Sequence, residues 1–425
     1  MNTKSLPLLI YFIFSSFVLL AQDHVSLAKV KKGDHYGYID DNGKEIIPCE
    51  FDYISSTVGD GLIAAYKDRN WAYYDVKGRK VLDLGNQYNY CGDFSEGLAA
   101  VSNSYALLGH YDSWEVRNKD TRFINRNGKE VFQVSEEFSS RISLHYSSTF
   151  KNGLLNVQIP DPGGRLDGIE QLNVFLNRQG EMVIPPLFGE EEAVVYEFQE
   201  GLGRTIVWGG GKDSIGFVNK QGDWVIPPKY QFATPFQNGV SMVKQKRKGN
   251  PYYSYFLIDK KGNSIFPDSI DCEEEYFEEL VAIHNGSKYA LAKTDGTILT
   301  EFKYQDLKLG KVCVAKLDDR FLFLDRNGQV LQETDYIYAD GFQDGLCIVV
   351  KDRRRGLTGV VNTKKEVIVP LQAGVNFYIC GGVILKYYDE VPDDLIDFQH
   401  FNRRGEHIDL SAYDKISYYQ YVQIP

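Results

Sequence analysis

The stretch Trp208-Gly-Gly-Gly-Lys-Asp-Ser214 is the first place where residue types suggest chemistry. A glycine-rich loop ahead of a lysine can cradle phosphate. A P-loop also needs a glycine five positions before Gly211, where Ile206 stands, and a hydroxyl residue after Lys212, where Asp213 stands. The stretch therefore reads as a turn between repeat units. No G-x-S-x-G elbow and no H-E-x-x-H pair occurs. His400 and His407 straddle a hairpin turn and could face each other across it, but no third metal ligand accompanies them. The acidic runs Glu190–Glu192, Glu273–Glu275 and Asp393-Asp394 could hold Ca²⁺ weakly. They lack the alternating oxygen ligands of a calcium loop and read as solvated charge. Six cysteines form no C-x-x-C and have no histidine at metal-site spacing. Cys313 and Cys347 fall in neighbouring repeats, so a bridge between them is the alternative, but their positions are not equivalent and buried free thiols are expected. The expectation is a chain with no catalytic residue, cofactor or metal. An enzyme with an unrecognised carboxylate pair is the alternative, because such a pair is defined by separation in space.

Charge narrows the partner classes. The chain has 425 residues and a formal net charge of -11. No Lys/Arg run is longer than Arg353-Arg354-Arg355. A nucleic-acid binder shows a basic footprint, so nucleic acid and anionic membrane surface are not expected partners. The N-terminus has leader anatomy: Lys4, then an apolar run from Leu6 to Leu20, then Ala21 before Gln22. Residues 1–21 are read as a cleaved signal peptide, leaving no membrane span. The protein would then work in the periplasm, at the cell surface or in the medium.

Residues 22–425 are built on a repeat. Its clearest copy is Tyr36-Gly-Tyr-Ile-Asp-Asp-Asn-Gly-Lys-Glu-Ile-Ile-Pro48. The anchor glycine recurs at Gly43, Gly78, Gly128, Gly180, Gly222, Gly262, Gly296, Gly328 and Gly405, with Lys365 at the ninth of ten positions. Three residues earlier stands Asp or Asn in every copy except Lys293. D/N-x-x-G is turn chemistry: the short polar side chain caps the turn, and glycine accepts positive φ. Apolar pairs on both sides make a hairpin, read as a type I turn with a bulge. A second signature, such as Phe94…Gly97-Leu98 or Phe342…Gly345-Leu346, reads as a third strand.

The combination YGYIDDNGKEIIPCEFDYI (36–54) and FSEGLAAV (94–101) resembles the bacterial WG-repeat family across roughly residues 25–410. The Trp of the namesake pair survives only at Trp71, before Ala72. The resemblance implies an all-β repeat array in envelope or secreted proteins. Ten units of about three strands exceed the usual propeller, so the expected shape is an open curved or superhelical solenoid, with the first and tenth units as caps. A closed propeller-like toroid is the alternative.

Insertions interrupt the period near 102–120, 134–149, 160–171 and 387–396. In repeat arrays such loops often carry binding. The first holds Tyr105, His110, Tyr111 and Trp114, residue types that anchor interfaces. The expected function is a non-catalytic protein-binding scaffold. A glycan- or wall-binding module using exposed aromatic rows is the alternative.

Overall fold

The computed structural model describes residues 24–103, 120–139, 149–160, 171–184, 192–208, 213–246, 252–352, 354–388, 398–417 and 419–423. Regular structure among them is β, apart from one helical turn at Glu136–Ser139.

The anchor glycines do what their turn chemistry requires. In the first copy Asp40 Oδ1 accepts the N–H of Asn42 and of Lys44, each at 2.9 Å. The Gly43 N–H donates to the Asp40 carbonyl at 3.0 Å. Register shifts beside the turn, between Tyr38 and Ile39, where a bulge was expected. All nine anchor glycines have φ between 75° and 96°. Lys365 takes the same conformation at φ 72°, and its Nζ donates to the Leu331 carbonyl of the preceding unit at 2.6 Å.

Numbered by their anchors, units 2–5 and 8–10 have four strands rather than three, whereas units 6 and 7 contribute three each to one six-stranded sheet. Unit 2 runs Tyr53–Ile54, Leu62–Lys67, Asn70–Asp75 and Lys80–Gly85, hydrogen-bonded in that order. In units 2, 3, 4, 6 and 9 the first strand has two residues, too short to show a period of two, so the sequence does not display it there. The aromatic–glycine signature is not a strand but a tight turn entering the second strand. Glu96 and Gly97 have φ of 52° and 80°, and Ser95 pairs with Leu98 across them. Positive φ at both central residues is the type I′ hairpin turn.

The ten units occupy nine sheets, because units 6 and 7 join through the single pair Tyr255–Cys272. The ends of the chain close the array. Strand His24–Lys32 pairs with His35–Asp40 on one edge and with Lys415–Ile416 and Gln420–Gln423 on the other. The C-terminal segment thus supplies the first strand of unit 1. This corrects the open solenoid: the architecture is a closed, propeller-like ring of small antiparallel sheets. The terminal units are not polar caps, because Ala28, Val30 and Ile39 of unit 1 pack on Val383, Leu385 and Ile408 of unit 10.

That contact is one of ten apolar clusters among the described residues, each shared by two consecutive units. Alternation along a strand serves two interfaces at once. Leu98 and Ala100 face unit 4, whereas Ala99 and Val101 face unit 2. A strand sandwiched on both faces reads as a continuous apolar run. The six cysteines are free; Cys91, Cys272, Cys313 and Cys347 are fully buried, and Cys49 and Cys380 partly so. No described helix is long and apolar enough to cross a membrane.

Candidate functional site

Tyr105, His110, Tyr111 and Trp114 lie outside the described residues. So do Glu190, Glu191, Asp393 and Asp394. His400 pairs with Ile408, and His407 pairs with Phe401. Adjacent strand residues point to opposite faces, so the two histidines do not face each other. Trp71 is buried among Tyr53, Tyr66 and Tyr90, with ring centroids 5.0–6.2 Å away. Its role is packing between units 2 and 3.

Many charged groups at the type I′ turns are committed to the fold. Asp60 accepts the N–H of Gly97 in the next unit at 2.6 Å. Glu96 accepts that of Gly153 at 2.9 Å, Glu200 that of Gly239 at 2.9 Å, and Asp344 that of Gly382 at 3.0 Å. A base just after the D/N of the next unit's hairpin covers several of these acids. Arg178 lies 3.0 Å from Glu96, and Lys260 lies 2.9 Å from Glu200. Burial works against the Glu96 charge, but the Gly153 amide and the Arg178 guanidinium outweigh it and hold the carboxyl below its ordinary range. Glu200 is shifted the same way by Lys260 and Gly239.

A second latch lies near the closure. Lys29 Nζ donates to the Ile54 carbonyl at 2.7 Å and to Ser56 Oγ at 3.3 Å, over the Tyr36 ring at 4.7 Å. Burial lowers its pKa to about 8.

One place is polar without being consumed in this way. A cleft of about 620 Å³ opens across the first strands of units 7 and 8 and the segment after the first strand of unit 9. Strand Asp271–Phe277 contributes Glu273, Glu274, Glu275, Tyr276 and Phe277. Strand Asp306–Lys308 contributes all three of its residues, and Asp340 to Gln343 come from unit 9. The glutamates sit on a bulge. Cys272 pairs with Ile283 and Tyr276 with Val281, so three residues stand opposite Ala282 alone. Consecutive carboxylates cannot be buried without partners, so the chain bows out and leaves Glu274 and Glu275 exposed. Lys308 Nζ lies 2.8 Å from Asp340 Oδ1 and sits over the Tyr338 ring at 4.8 Å. Burial and a hydrogen bond to Glu273 push the Tyr289 phenol up to about 12. Among the described residues no salt bridge ties Glu274, Glu275 or Asp306. No group of three or more described His, Cys, Asp or Glu side chains could hold a metal ion. The glutamate run was visible in sequence. Asp306 and Asp340 carried no signal, because only the ring brings these three units together.

The sequence profile described as "WG containing repeat" matches residues 36–71, 71–104, 175–205 and 215–248. The chain carries WG containing repeats. No curated protein matches it. Solved structures give distant likenesses. A eukaryotic initiation factor is 10% identical with a TM-score of 0.42, covering 94% of this chain and 96% of its own. A protein of unknown function from Bacteroides caccae is 12% identical with a TM-score of 0.22, covering 52% and 98%. Hsv2p of Kluyveromyces lactis is 8% identical with a TM-score of 0.25, covering 83% and 98%. These scores are low, so the ring assignment rests on the strand pairing at its closure. The matched stretches contain the hairpins anchored at Gly43, Gly78, Gly180 and Gly222, and the other units share that hairpin geometry.

Proposed function

We propose that this WG-repeat ring is an exported, non-catalytic scaffold that holds a protein partner. The observation that carries the reading is the cleft across units 7, 8 and 9, built by the repeat scaffold itself and lined by exposed carboxylates and aromatic rings. The repeat columns elsewhere are spent on turns, latches and the ten inter-unit cores. A surface with mixed aromatic and charged lining suits a polypeptide segment. The leader-like order at Lys4, Leu6–Leu20 and Ala21 supports export.

The test is affinity capture from envelope and culture-medium extracts with the chain starting at Gln22. A saturable partner retained by wild type and lost on replacing Glu273–Glu275 supports the reading. A partner lost instead on replacing residues 104–118 with a Gly/Ser linker moves binding to the insertion holding Tyr105, His110, Tyr111 and Trp114. No saturable protein partner in either extract contradicts it.

A glycan-binding reading has one favouring observation. Tyr378 is 56% exposed and stacks on Tyr387 at 5.5 Å and 13°, with Phe398 beside both rings. Stacked exposed rings are a surface on which sugar faces can lie. Wall-polysaccharide retention by wild type and its loss in Tyr378→Ala would favour that reading.

A further inference from the structure

We infer that the cleft across units 7, 8 and 9 takes an extended, lysine- or arginine-bearing peptide segment; this rests on the scaffold reading above and names its partner's chemistry. Three observations lead there. The first is volume: about 620 Å³ lies within the range of peptide and ligand clefts.

The second is charge. The cleft is lined by Glu273, Glu274, Glu275, Asp306 and Asp340 against one base, Lys308: five negative groups and one positive, a net of -4. Lys308 is itself neutralised by Asp340 at 2.8 Å. Carboxylates spread over three consecutive units make an elongated field, and no described set of them converges as metal ligands do. A single small cation would satisfy one of them; a chain with several spaced cations satisfies the row.

The third is the apolar lining. Tyr276, Phe277, Tyr289 and Phe342 line the same cleft. Ring faces attract guanidinium and ammonium groups and cover their methylene stems. The ring already uses this pairing internally, with Lys244 over Tyr255 at 4.5 Å and Lys308 over Tyr338 at 4.8 Å. Glu274, Glu275 and Asp306, which no described salt bridge ties, lie beside these rings; such a lining rejects acidic segments and rewards basic ones, which is specificity by charge.

The experiment uses the chain from Gln22 to Pro425 and three labelled probes: a decapeptide alternating lysine with tyrosine, the same peptide with glutamate for lysine, and spermine. Binding is read by anisotropy for the peptides and by calorimetry for spermine. The variants are the triple Glu273→Gln, Glu274→Gln, Glu275→Gln, and a control that removes equal charge elsewhere: Glu333→Gln, Asp335→Asn, Glu366→Gln. Both are checked for unchanged melting. The expected result is saturable binding of the lysine peptide only, weakened about tenfold or more (a loss of ~1.4 kcal/mol or more) by the cleft triple and less than about twofold by the control. Equal weakening by both triples overturns the inference, because the binding is then bulk charge. So does spermine binding as tightly as the peptide, or no saturable binding of the lysine peptide. Captured partners that bind independently of the cleft triple would overturn it while leaving the scaffold reading standing.

Discussion

The Glu96 carboxylate accepts the N–H of Gly153, 2.9 Å away in the next unit of the ring. The residue that gives the tight turn of one unit its positive φ also caps the glycine of the next turn. Asp60, Glu200 and Asp344 repeat the contact. Inter-unit bonding is therefore charge-assisted as well as apolar, and pH acts on it.

Glu96→Ala should lower stability by about 1.5–3 kcal/mol at pH 7, the range for a hydrogen bond to a charged group. The folded carboxyl titrates below its ordinary value, so the unfolded chain takes up protons first as pH falls. The contribution is full above about pH 5 and is lost as pH falls through the folded pKa. Urea unfolding of wild type and variant at pH 7 and pH 3 should show the gap shrinking at the lower pH. A constant gap would contradict the latch.

Lys29 adds a second pH dependence, in the alkaline range. Burial lowers its folded pKa to about 8, below the unfolded value. Between those two values the unfolded chain binds the extra proton, so this residue's contribution to stability rises with pH across the window. Below about pH 8 the burial penalty is complete. Melting wild type and Lys29→Met from pH 7.5 to pH 10 should show the difference moving in favour of wild type. A flat difference would mean that the amine is not desolvated.

Two glycines with like φ should respond differently to alanine. A Cβ at Gly78 would stand 1.9 Å from the Ile46 carbonyl oxygen, whereas nothing lies within 4 Å of one at Gly97. Gly78→Ala is expected to lose about 2–5 kcal/mol, from strain and overpacking together. Gly97→Ala should lose about 1–2 kcal/mol, the left-handed strain alone. Denaturation of the two variants decides it. Equal losses would mean that the hairpin turn does not press on the preceding unit.

Lys365→Gly relieves a residue at φ 72° and removes the Nζ contact to Leu331. The two effects oppose, so the net change should stay within about 1 kcal/mol. A larger loss would mean that the Nζ contact outweighs the relief of strain at φ 72°.

Much of this was legible in the sequence, and the reasons for the rest are physical. The D/N-x-x-G hairpins were readable because Asp40 and Gly43 act within five residues of each other. Strand Tyr53–Ile54 was not, because two residues carry no period. Closure was not, because Val25 and Val422 are ordinary strand residues that meet only when the ring is complete. The cleft was half visible: the glutamate run stands out in one unit, but Asp306 and Asp340 join it only through inter-unit packing.

The central claim is that the ring is closed by its own ends. Val25 and Val422 are direct antiparallel partners, and such pairs bring Cα atoms within about 4.5–5.5 Å, inside disulfide range. The double variant Val25→Cys, Val422→Cys should oxidise to an intramolecular disulfide in the folded monomer, found by mass spectrometry as one linked peptide pair absent from wild type. A monomer that forms no such link under the same oxidation, or links only between molecules, would contradict the closed ring.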